Sequence, residues 1–137
     1  AEVGVGAGYV QGDGELSTPR VSWTSSLADS CFVTSQVSTF YEVNRGAGYL
    51  ALEEKAYITR TWGDAYGYLL VATGRAEVMV DAIMNVWDAA AILPVMIESG
   101  GTFTDWSGNA TIHGGEGIGT NGAVLDEVLA TIQSAGL

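Results

Sequence analysis

Three aspartates stand where a carboxylate could be put to chemical use. Asp64 follows Trp62-Gly63, and Asp81 and Asp88 close the two ends of Asp81-Ala82-Ile83-Met84-Asn85-Val86-Trp87-Asp88. Each falls where a strand-like pattern gives way to a helical one. Ala76-Glu77-Val78-Met79-Val80 reads as a strand, which puts Asp81 just past its carboxyl end, the edge at which open α/β sheets gather ligands. Asn85 is a plausible N-cap, and Asp88, three residues on, would complete a capping pair in the first helical turn. The positive end of the helix dipole keeps such a carboxylate ionised, so capping is the plain role for Asp88. Asp64 is the second carboxylate at a strand-to-helix turn, an N-cap for a helix from Ala65 to Thr73 that Gly74 stops. Together these residues read as one wall of an active site.

The rest of the chain supplies the scaffold around them. Gly4–Val10, the turn Gly12-Asp13-Gly14 and Arg20-Val21-Ser22 predict a β-hairpin. A two-stranded hairpin is barely stable alone, so residues 1–25 are expected to belong to a neighbouring sheet, and residues 26–137 to form the α/β core of a single domain. No Gly-Lys-Ser/Thr follows these glycines, so they carry no phosphate-loop signature. Cys31–Ser35 has the content of a buried strand, and Gln36 to Gly48 is polar with weak periodicity. Tyr49–Lys55 predicts a short helix and Tyr57–Trp62 a strand. A helix from Val86 to about Ser99 carries Ile92, Val95 and Met96 for the core, and Pro94 predicts a kink in it. Thr102–Trp106, the turn Ser107-Gly108-Asn109 and Ala110–His113 resemble a second hairpin. Ile118–Thr120 is one more short strand, with Thr120 or Asn121 as cap. Leu125, Val128, Leu129 and Ile132 form the core face of a closing helix. The expected fold class is α/β, with a central mixed sheet of about five strands flanked by helices.

Composition narrows the partners. The 137 residues are 47% hydrophobic, enough for one domain with a real core. With 5 basic and 16 acidic side chains the net charge is −11, which argues against nucleic acid or an anionic membrane and favours a metal or an amine. Cys31 is the single cysteine, so no internal disulfide forms; a buried thiol and a cytoplasmic setting are expected. No stretch approaches the roughly 18 apolar residues of a membrane span, and no signal peptide is apparent. His113, the single histidine, has no second histidine or cysteine to share a metal with and is expected on the surface or on an edge strand.

Four stretches in register carry a resemblance: Trp62-Gly63-Asp64-Ala65-Tyr66-Gly67-Tyr68, Val71-Ala72-Thr73-Gly74-Arg75-Ala76-Glu77, Trp87-Asp88-Ala89-Ala90 and Glu98-Ser99-Gly100-Gly101. Their order and spacing resemble the carboxyl-terminal half of the inositol monophosphatase family. The likeness runs from about Gly4 to Ile132, with Gly119-Thr120-Asn121-Gly122 resembling the last strand-to-helix turn. The Trp-Gly-Asp-x-Tyr-Gly-Tyr version is most similar to members that hydrolyse histidinol phosphate. The resemblance implies that Asp88 coordinates a catalytic Mg²⁺, a hard cation that prefers oxygen ligands. It further implies metal-assisted hydrolysis of a small phosphate ester. Members that bind a neutral polyol have a small residue at the place of Asp64. Asp64 and Asp81 are therefore expected to bind a cationic substrate, each contact worth on the order of 1.5–3 kcal/mol.

The chain also departs from that family. Its Gly-Glu-Glu and Asp-Pro-(Ile/Leu)-Asp-Gly-Thr segments, which hold the other metal ligands, do not occur here; Pro19 and Pro94 are the two prolines, and neither follows aspartate. With the opening Ala1 in place of methionine, this points to a fragment whose partner is the missing amino-terminal half, with little or no phosphatase activity alone. The alternatives are a phosphatase for inositol, sugar or nucleotide monophosphates, and a non-catalytic acidic α/β module that acts by association. Homo-oligomers are expected, because strand edges and an incomplete site both seek a partner.

Overall fold

Strands β1 (Cys31–Thr34), β2 (Ile58–Thr61), β3 (Val78–Asp81), β4 (Thr102–Thr104) and β5 (Gly117–Thr120) form one sheet in the order β2-β1-β3-β5-β4. This is a computed structural model, and it describes residues 1–136. The pairs β1–β2 and β1–β3 are parallel, whereas β3–β5 and β4–β5 are antiparallel, so the sheet is mixed as expected. Helices α1 (Val37–Glu42), α2 (Gly46–Lys55), α3 (Ala65–Ala72), α4 (Val86–Glu98) and α5 (Leu125–Ser134) fill the connections, and a 3₁₀ turn, Leu27–Asp29, precedes β1.

The two-residue period of the strands divides the core between two faces. Phe32, Val78, Val80 and Ile118 pack with Phe40, Tyr49, Leu52, Val128 and Ile132 of the α1/α2/α5 layer and with Trp106 from the turn after β4. Val33, Met79 and Phe103 point the other way, onto Tyr68 and Val71 of α3 and Ala89, Ile92 and Met96 of α4. The result is three layers, helix on sheet on helix. On the α3/α4 side β5 has no side chains at Gly117 and Gly119. A Cβ at Gly119 would stand 2.7 Å from the Tyr68 ring, and one at Gly117 2.8 Å from its hydroxyl. Those two glycines make the space into which Tyr68 reaches.

Several expectations change. The hairpin pairing Thr102–Trp106 with Ala110–His113 does not form. Strand β4 pairs with β5 instead, and the Asp105 carboxylate curls the intervening chain by accepting from the Ser107 and Asn109 N–H groups at 2.9 and 2.8 Å. His113 is exposed in that loop and not on an edge strand. The polar stretch after β1 holds α1, whose weak periodicity hid the single buried Phe40. Asp81 is the last residue of β3 rather than the one beyond it. Cys31 is only half-buried; partial burial, followed by the nearby charge of Glu77, raises its pKa.

At the amino end, the chain turns back through two isolated bridges, Glu2 with Gly6 and Tyr9 with Ser17, the latter pair exchanging main-chain hydrogen bonds at 2.8 and 2.9 Å, and neither Gly4–Val10 nor Arg20–Ser22 forms a regular strand. The segment is tied to the core by Val21 N–H on the Ser99 carbonyl and by Asn121, whose Nδ2 donates to Ser22 and Thr24.

Candidate active site

Parallel strands β1 and β3 end on the same edge of the sheet, and their register, Phe32 with Val78 and Val33 with Met79, continues to set Ser35 beside Asp81. Helices α3 and α4 start at that edge. Between them lies a cleft of about 340 Å³ whose walls include Ser35, Asp64, Tyr68, Asp81, Trp87 and Asp88. All three aspartates singled out by sequence therefore meet in one place, as the carboxyl-edge rule anticipates.

Their surroundings differ. Asp81 is 6% exposed and accepts on Oδ1 from the Ser35 N–H at 3.4 Å and from the Ser35 hydroxyl. Burial pushes its pKa up; the Ser35 and Tyr68 hydroxyls and the Ser35 N–H pull it back, and the charge of Asp64 adds to the rise. Among the described residues, the buried Tyr68 hydroxyl has no partner that meets hydrogen-bond geometry, although it lies near enough to Asp81 for each to perturb the other. Burial, and then the Asp81 charge, raises the Tyr68 pKa well above the ordinary phenol value.

Asp64 and Asp88 stand exposed on the rim. The expected Asn85–Asp88 capping pair does not form: Asn85 makes no side-chain cap, and its main-chain carbonyl takes the Asp88 and Ala89 N–H groups at 3.1 Å. Asp64 occupies the N-cap position of α3, again without a side-chain cap, and its backbone lies at φ 52° and ψ −141°. A non-glycine residue there is strained, and such strain gathers at functional sites. Both carboxylates are thus free of the plain role that spacing suggested.

Among the described residues, no three His, Cys, Asp or Glu side chains stand close enough together to hold a metal. The charged donors of the cleft are the carboxylates of Asp64, Asp81 and Asp88, whose oxygens suit a hard cation, and Asp88 can supply one ligand of such a shell. Sequence reasoning missed Ser35 and Tyr68. The signal for Ser35 was its place at the end of the Cys31–Ser35 strand, on the same edge as Asp81. For Tyr68 the signals were its place at the end of the Trp62–Tyr68 motif and the glycine alternation in Gly117-Ile118-Gly119, neither of which says that its hydroxyl reaches Asp81.

A second, largely apolar groove adjoins the cleft and shares Ala65, Tyr68, Ala91 and Ile92 with it; Tyr66, Leu69 and Val95 complete its walls. No helix among the described residues is long and apolar enough to cross a membrane.

The family model described as the inositol monophosphatase family matches residues 4–136. A histidinol-phosphatase of Streptomyces coelicolor is 36% identical over 110 residues, covering 80% of this chain and 41% of that protein. A histidinol-phosphatase of Chlorobaculum parvum is 47% identical over 78 residues, 56% of this chain and 30% of that one. Among solved structures, an IMPase of Thermotoga maritima superimposes with a TM-score of 0.77 at 27% identity, covering 93% of this chain and 51% of that one. The chain thus spans less than half the length of the two curated relatives.

Proposed function

Because the chain belongs to the inositol monophosphatase family, we propose that it forms one wall of a metal-dependent phosphomonoester hydrolase acting on histidinol phosphate, in histidine biosynthesis. The observation that carries this reading is the convergence of Asp64, Asp81 and Asp88 on one cleft at the starts of α3 and α4. The positive ends of those helices favour the phosphate, while the carboxylates favour a cation. Asp81, deep in the cleft, and Asp64, on its rim, bind the charged end of the substrate. The curated relatives named histidinol-phosphatase support that choice.

Members of the family generally use divalent metal ions, and we assign Mg²⁺ to Asp88. When bound, that ion would supply an activated water and offset the charge on the phosphoryl oxygens. One exposed carboxylate holds Mg²⁺ poorly in water, so the remaining ligands come from an amino-terminal half that this sequence does not contain. The apolar groove beside the cleft is a surface that such a half could cover, and residues 1–25 are assigned to its sheet. The chain alone is accordingly expected to release no phosphate. A cytoplasmic, homo-oligomeric enzyme is the setting we propose, in keeping with the single cysteine and the open edge of β2.

The test joins this chain to the amino-terminal region of the Streptomyces coelicolor relative that lies outside the match, then follows phosphate release with Mg²⁺. Faster turnover of histidinol phosphate than of inositol 1-phosphate is expected. Preference for the inositol ester would favour the alternative reading, an inositol or sugar monophosphatase, and remove the role given to Asp64. No release from any phosphate ester by the folded chimera would leave the acidic, non-catalytic module as the better description.

A further inference from the structure

Asp81 is the deepest of the three carboxylates, and a carboxylate in that position has to be both charged and held still to select a cation. The residue that does this lies on another strand. Ser35 comes immediately after β1, and both of its donors, N–H and hydroxyl, converge on Asp81 Oδ1. The parallel β1–β3 register sets the two residues side by side, so the contact follows from the sheet and not from a chance loop. We propose that Ser35 is a positioning residue for substrate selection, fixing the orientation of the Asp81 carboxylate so that it accepts a protonated nitrogen of the substrate.

The groups around Asp81 support this. Tyr68 of α3 brings a buried hydroxyl near Asp81, Asp64 adds a like charge from the rim, and Asp88 of α4 faces the same cleft. The Trp106 indole holds the main-chain carbonyl of Asp81 at 3.3 Å. Burial and the neighbouring carboxylate favour the protonated acid, whereas the Ser35 donors are the largest opposing influence. Without them Asp81 would be a neutral, loosely oriented acid over more of the pH range and a poor partner for an ammonium or imidazolium.

The inference rests on the reading of Asp81 as the cation acceptor, and the experiment separates the two. In the chimera that carries the amino-terminal region of the Streptomyces coelicolor relative, the Asp81 carboxyl is titrated by ¹³C NMR, and the Kd of L-histidinol is measured by amide shifts, for the parent, Ser35→Ala, Ser35→Thr and Asp81→Asn. Ser35→Ala is expected to raise the Asp81 midpoint and weaken L-histidinol about tenfold, as loss of a charge-assisted hydrogen bond does. Ser35→Thr, which keeps the hydroxyl, is expected to restore both. In an Asp81→Asn background Ser35→Ala is expected to change nothing further. An unchanged Asp81 midpoint and Kd in Ser35→Ala, with binding lost in Asp81→Asn, would overturn the role of Ser35 and leave that of Asp81 standing. Native-like binding by Asp81→Asn, or no binding by the parent chimera, would overturn the reading of Asp81 itself. Amide spectra that match the native dispersion show that each variant is folded.

Discussion

The Trp106 indole Nε1–H donates to the main-chain carbonyl of Asp81 across 3.3 Å, joining a fully buried ring to the residue at the floor of the cleft. The ring is set at 5.7 Å from Phe40, and the Arg45 guanidinium lies over it at 4.7 Å, paired with Glu116 at 2.8 Å. The α1/α2/α5 layer thereby holds the end of a strand whose carboxylate faces the opposite layer. Trp106→Phe keeps an aromatic ring and removes the donor. Urea unfolding is expected to show a loss of about 1–3 kcal/mol, with weaker L-histidinol binding alongside. Unaltered stability would mean that the contact does not hold β3.

Asp64 carries a positive φ that glycine adopts at no steric cost. Asp64→Gly is expected to leave stability unchanged or raise it by up to about 1 kcal/mol, while weakening any cationic ligand of the cleft. The pairing of retained stability with lost binding is the signature sought. Thermal melts give the first quantity and an L-histidinol titration the second. A clear loss of stability would mean that the side chain serves the fold.

The pH dependence of stability comes from groups shifted in opposite directions. Asp81 and Glu116 have raised pKa values, in each case chiefly from burial, so both hold their protons more tightly folded than unfolded. Their contribution is full below the ordinary carboxylate range and is lost as pH rises through the raised values. For Asp105, slight burial pushes upward but is outweighed by hydrogen bonds from Asn109 and Ser107, so its pKa falls. Its contribution is present above the ordinary range and lost as pH drops through the lowered value. Asp81→Asn is therefore expected to be more stable than the native chain near neutrality, with the difference shrinking toward about pH 3 in urea unfolding series. A constant difference across pH would show that Asp81 does not change its ionisation on folding.

Gly119→Ala tests the space that β5 leaves for Tyr68. Its Cβ would stand 2.7 Å from a rigid ring, so the ring or the strand has to shift. A loss of about 1–3 kcal/mol is expected, as in other overpacked cores, together with a change in the Tyr68 hydroxyl environment seen by NMR. Full stability with native Tyr68 signals would mean that β5 does not confine the ring.

Much of the fold was legible because its strands are short runs of β-branched residues ending at turn signals, and because α4 and α5 carry core residues at helical spacing. Helix α1 was not legible: it buries Phe40 alone, and one apolar position sets no period. The mistaken hairpin at Thr102–His113 arose because the turn at Ser107-Gly108-Asn109 is real, closed by Asp105, yet it leads into a loop rather than a returning strand. At the site, Asp64, Asp81 and Asp88 could be named from their places between elements. Their capping roles could not be judged, since a cap depends on a rotamer that spacing does not specify. Ser35 escaped notice because its partner lies 46 residues away and meets it only through the parallel register.

The direct test of the phosphatase proposal is Mg²⁺-dependent phosphate release from histidinol phosphate by the chimera that carries the amino-terminal region of the Streptomyces coelicolor relative, with and without Asp88→Asn. Asp88 makes no cap in α4, so the exchange should leave the fold intact. The expected result is turnover in the parent and loss of at least about a hundredfold in Asp88→Asn, partly recovered at high Mg²⁺. Undiminished turnover by a folded Asp88→Asn protein would contradict the assignment of Asp88 as the metal ligand of this wall.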